Sequence, residues 1–76
     1  MTLKERIDLV YRLHLLILRK ATGTPDELAR KLGISPPTLF RYIETLREFG
    51  APVAFCRNNQ RYYYLEDFEL DFNRRI

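Results

Sequence analysis

Apolar residues return at helical intervals along the first part of the chain. Leu3, Ile7, Val10, Tyr11, His14, Ile17 and Leu18 share one broad face of a helix predicted over residues 2–20. Thr2 and Glu5 can form a capping box at its start, and Lys20 followed by Gly23 marks its end. That face is expected to pack on the rest of the fold. A second ridge, Leu9, Leu13 and Leu16, lies nearly opposite, and a three-helix unit alone would leave it wet. Either the C-terminal segment or a second copy of the chain is therefore expected to cover it, with a homodimer favoured. His14 lies inside the first face and reads as a packed core residue, because a catalytic histidine needs an orienting partner that this sequence does not display.

Between Thr24 and Phe49 the pattern becomes two short capped helices. The Thr24 hydroxyl can accept from the Glu27 amide while the Glu27 carboxylate reaches back, and Pro25 fills a first-turn position that needs no donor. Leu28, Ala29 and Leu32 supply the buried face, and Gly33 follows where a helix ends in the left-handed region. Ser35 then caps a second helix, with Pro36 and Pro37 in its first two positions. Its buried face is Leu39, Ile43 and Leu46, which leaves Thr38, Arg41, Thr45 and Glu48 on the other side. A turn of only about three residues between two helices, with small Ala29 permitting a close crossing, is the grammar of a helix-turn-helix. That grammar points to nucleic-acid binding.

After Phe49, Gly50 and Pro52 break the helix. The runs 53–57 and 61–65 read as strands of a β-hairpin around Asn58-Asn59-Gln60. A two-residue and a three-residue loop both fit, and they exchange which side chains face the core. Alternation sends Tyr62 and Tyr64 to one side and Tyr63 to the other, so at least one set is expected to be core rather than a base-stacking platform. Residues 1–65 thus form one domain, and residues 66–76 an acidic, apolar tail. Within that tail Phe68, Leu70 and Phe72 alternate with acids, which suits an extended strand laid on an apolar surface such as the Leu9, Leu13 and Leu16 ridge.

Composition narrows the function further. At 76 residues and 46% hydrophobic content, the chain buries one core but is too short for a deep enclosed active site. The net charge is +3, unevenly spread: residues 1–64 hold 11 Lys/Arg against 6 Asp/Glu, and residues 65–76 hold 2 against 4. A basic body suits phosphate contact. The single Cys56 excludes an internal disulfide, and neither a signal peptide nor an apolar run long enough for a membrane is seen, so an intracellular, cytoplasmic protein is expected. One His and one Cys offer no metal set, and no nucleophile-base pair or phosphate loop is visible. No cofactor and no enzymatic activity are expected.

The order helix, short helix, turn, helix, hairpin, an α+β arrangement, resembles the winged helix-turn-helix domains of bacterial transcriptional regulators. The likeness is to the amino-terminal domains of DeoR-like and WYL-domain regulators. It rests on residues 27–35, residues 38–52 and the Tyr-rich second strand, about two thirds of the chain. The resemblance implies that the helix over 36–49 enters the major groove of double-stranded DNA and that the hairpin over 53–65 lies on the backbone or minor groove as a wing. On that geometry Thr38 and Arg41, with Pro37 and Phe40 beside them, reach base edges, and the helix starts at Thr24 and Ser35 present amides to phosphate. Arg41 is the leading candidate, either as a fork on guanine or as a phosphate contact. Arg57 and Arg61 flank the wing turn and, with Asn58 and Asn59, suit phosphate or minor-groove contact.

Two departures from the resemblance matter. Such regulators commonly carry basic residues just after the capping serine and an acid after the central arginine; here stand Pro36-Pro37 and Tyr42, which weakens the phosphate grip. They also usually continue into a ligand-sensing domain, so no small-molecule ligand is expected for these residues. The alternative function is a winged-helix protein-interaction module with little DNA affinity, working through the apolar ridge and tail.

Overall fold

Each helix begins on a side-chain cap and ends on the same backbone device. In the computed structural model, which describes residues 2–70, the helices are α1 (Leu3–Leu18), α2 (Pro25–Leu32) and α3 (Pro36–Glu48), followed by β1 (Val53–Cys56) and β2 (Arg61–Tyr64). Thr2 and Thr24 both close capping boxes: the Glu5 and Glu27 amides donate to the threonine hydroxyls at 3.2 Å, and the glutamate carboxylates accept from the threonine amides at 2.8 Å. These bonds to the ionised form hold both carboxyls below the usual glutamate value. The helix starts follow directly from the sequence.

The ends follow a Schellman arrangement, in which two amides beyond the helix return to carbonyls of its last turn around one left-handed residue. Gly33 at φ 70° ends α2, with Ile34 N–H on the Ala29 carbonyl at 3.0 Å. Gly50 at φ 95° does the same after α3, with Ala51 N–H on the Leu46 carbonyl. After α1 the left-handed residue is Lys20, at φ 58°, with Ala21 N–H on the Leu16 carbonyl at 2.9 Å. The predicted end at residue 20 is therefore corrected to Leu18, and α3 ends at Glu48, one residue earlier than predicted.

The core is formed by Val10, Leu13 and Ile17 of α1, Leu28, Ala29 and Leu32 of α2, and Leu39, Ile43 and Leu46 of α3. Ala51, Val53, Tyr62 and Leu70 close it from the hairpin side and the tail. This corrects the expectation for α1. Leu13 is fully buried and Leu9 is 6% exposed, whereas Leu3, Ile7, Tyr11 and Leu18 stand in solvent. The Leu9, Leu13 and Leu16 ridge is thus interior to the single chain, Leu16 being half-buried against the core, and part of the opposite face is the wet one. The helix is apolar on nearly every side, so periodicity alone did not choose between its faces.

β1 and β2 pair antiparallel, with Val53 opposite Tyr64 and Cys56 opposite Arg61. Four residues, Arg57 to Gln60, turn between them, with Gln60 left-handed at φ 53°. Neither predicted loop length holds, and the strands are one residue shorter than predicted. The hairpin packs on α3 through β1 and on α1 through β2. Beyond it, residues 67–70 form no strand, yet Leu70 is buried and Phe68 half-buried against the core. The tail meets α1 on the His14 side, where Tyr11, His14, Leu15, Leu18, Phe68, Glu69 and Leu70 line an open groove of about 370 Å³. Phe72 lies outside the described residues.

Candidate nucleic-acid interface

α3 turns an unbroken ridge to solvent. Because Leu39, Ile43 and Leu46 point inward, Pro37, Phe40, Arg41, Glu44 and Glu48 fall on the outer side, and all five are exposed. Arg41 stands in the middle of that ridge, uncovered by the hairpin or by the described part of the tail. Glu44 is engaged by Arg47, the ion pair found among the described residues, which leaves its charge partly offset beside Arg41. Arg47 also donates to the Val53 carbonyl at 3.3 Å, so it ties α3 to β1 rather than reaching outward.

The amino-terminal end of α3 has little to offer an anion through its backbone. Pro36 and Pro37 carry no amide donor, and the Thr38 amide donates to Ser35 Oγ at 3.4 Å. Ser35 Oγ donates in turn to Thr38 Oγ1 at 3.0 Å. Thr38 is half-buried and its hydroxyl accepts from Ser35, so of the predicted base-contacting residues Arg41, Phe40 and Pro37 are the more exposed. Thr45 is half-buried too, donating to the Arg41 carbonyl at 3.0 Å.

The wing presents Arg57, Asn58, Asn59 and Gln60 in its turn and Arg61 at the start of β2, all exposed. Its strands are fixed from below. The Tyr64 hydroxyl and His14 Nδ1 share a hydrogen bond at 2.8 Å, and the rings of His14, Tyr64 and Phe68 pack at centroid separations of 5.4–5.8 Å. Burial pushes the His14 pKa down and that of Tyr64 up, so both groups are held neutral. Tyr62 is buried against Phe55 at 5.1 Å, which withdraws it and Tyr64 from any base-stacking role. Periodicity marked His14 as core, but its partner is 50 residues away and no local pattern linked the two.

Two further cations are turned to the protein's own carbonyls. Lys31 Nζ donates to the Ala21 carbonyl at 2.7 Å, and Arg12 donates to the Lys31 carbonyl at 3.3 Å. At the start of α2 the Thr24 hydroxyl accepts from the Glu27 amide in its capping box. Among the described residues no group of three or more His, Cys, Asp or Glu side chains is placed to hold a metal ion, and no helix is long and apolar enough to cross a membrane.

Three helices with a short turn between the second and third, an exposed outer face on the third and a hairpin beside it define a winged helix-turn-helix. A family model described as an HTH domain matches residues 12–63, more than half of the chain. The protein belongs to that family, a DNA-binding class of domain. No curated protein and no solved structure matches the chain.

Proposed function

We propose that this protein is a transcriptional regulator that binds double-stranded DNA with α3 in the major groove and the hairpin turn on the flanking backbone or minor groove. The observation that carries the reading is the uncovered outer face of α3, with Arg41 at its centre, on the same chain as a turn bearing Arg57, Asn58 and Asn59. An α-helix fits the major groove, and an arginine fork pairs with the O6 and N7 acceptors of guanine. The two prolines remove main-chain phosphate grip from the head of α3, so affinity falls on the arginines and is expected to be modest.

Enrichment of random duplexes on the full chain, followed by titration of the selected duplex between about 50 and 200 mM salt, tests this. Arg41→Ala together with Arg57→Ala is expected to flatten the salt dependence by up to about 1.8, near 0.9 for each lost phosphate contact. Failure to enrich any duplex, or a double variant that binds like the parent, would overturn it.

The exposed apolar side chains of α1 support a second copy of the chain as partner. Leu3 is 73% exposed, and Ile7, Tyr11 and Leu18 are 40–48% exposed along the same helix. A two-fold pair would bind half-sites about one helical turn apart. A monomeric mass in solution with and without the selected duplex would remove this part of the proposal.

A further inference from the structure

On the outer ridge of α3, Phe40 lies outside the core cluster. It is the one large apolar side chain that this helix leaves exposed among the described residues, at 49%, while its neighbour Leu39 is fully buried. Pro37, one turn earlier, adds a second apolar surface on the same ridge, and Arg41 follows directly. The groove-facing sequence of side chains is therefore apolar, apolar, cation.

Resting on the proposed major-groove placement of α3, we infer that Phe40 reads the C5 methyl group of a thymine at or next to the base pair that Arg41 contacts. The chemistry leaves little choice of target. A phenyl ring neither donates nor accepts a hydrogen bond, so placed over the amino or carbonyl edges of a base it would strip water and return nothing. The one apolar feature that the major groove presents is the thymine methyl. One residue of α-helix rises about 1.5 Å, less than the spacing of stacked base pairs, so consecutive residues 40 and 41 address the same or adjacent pairs.

The test replaces single thymines in the selected duplex by deoxyuridine, which removes the methyl and keeps every hydrogen-bonding group. With the full-length protein, one thymine position is expected to lose about fourfold in affinity on substitution, the worth of one buried methyl-sized group. At that position 5-methylcytosine opposite guanine should bind better than cytosine. In Phe40→Ala the thymine and deoxyuridine duplexes should bind equally, while the Arg41→Ala loss stays intact. Since Phe40 is half in solvent and outside the core, the alanine variant should keep the parent melting temperature, and Phe40→Ser serves as a second variant.

The outcomes separate cleanly. If a duplex is selected and binding depends on Arg41, but no thymine-to-deoxyuridine exchange matters, the role of Phe40 is wrong and the groove placement survives. If the difference persists in both Phe40 variants, another side chain reads the methyl and the inference fails. If no duplex binds at all, the proposed function falls first and this inference with it.

Discussion

Replacing Leu13 by alanine decides whether the middle of α1 is interior or interface. Leu13 has no exposed surface and belongs to the same cluster as Ile17, Leu28, Leu39, Ile43 and Leu46, each at 2% exposure or less. Truncation would remove the side chain and leave a cavity walled by three helices that are pinned at both ends by caps, so little collapse is available. Buried leucine-to-alanine changes cost about 2.7–5 kcal/mol, and this site belongs in the upper half of that range. A domain of this size has a total stability of only about 4–11 kcal/mol. One substitution thus removes a third or more of it.

The expected fall in melting temperature is about 15–40 °C, followed by circular dichroism, since each kcal/mol is worth roughly 4–8 °C in a domain this small. Leu65→Ala is the control, because it lies off the α1 face proposed to meet a second copy. Its side chain is 66% exposed, and the change should stay within about 0.5 kcal/mol. If Leu13→Ala melted within about 3 °C of the parent, less than the worth of one kcal/mol, while the mass in solution dropped, Leu13 would face a partner and its burial within one chain would be wrong.

Further outcomes are expected elsewhere. Lys20→Gly should stabilise the domain by about 0.5–1 kcal/mol, because lysine is strained in the left-handed conformation that glycine adopts freely; thermal melts check this, and a lower melting temperature would contradict it. Stability should also decline in mild acid. His14 has its pKa pushed below the ordinary value of 6.5, so as pH falls through 6.5 the unfolded chain takes up a proton that the folded chain refuses, and stability drops until the lowered pKa is passed. Urea midpoints at pH 8 and pH 5.5 should differ, and the part of that difference due to His14 should vanish in His14→Gln; an unchanged difference in the variant would assign it to other groups.

The turn-bounded half of the molecule was legible because its signals are local. Thr24 with Glu27, Gly33, and Ser35 before two prolines mark helix ends within four residues of chain, and the structure places α2 where those signals do and α3 one residue short of them. The exposed position of Arg41 followed from the same period. What stayed hidden depends on distant partners. In α1, leucines, isoleucines and a valine surround the axis, so its buried side was set by where the hairpin and Leu70 come to rest. The wing turn was obscured because Arg57 and Gln60, neither a strong turn former, join Asn58 and Asn59 in it. At the site, the bond that the Thr38 hydroxyl accepts from Ser35 could not be seen from spacing, since threonine at that position can equally turn outward.

The joint between His14 and Tyr64, together with the clasp of Arg47 on Val53, makes the hairpin and α3 a pair of jaws with a set gape. Neither jaw can swing without breaking a contact that is at least partly sheltered from water. In the proposed complex, a duplex gripped by both would have to supply the adjustment itself, and double helices differ by sequence in how readily they bend or narrow a groove. Base steps lying between the two grips would be selected for pliability without being touched.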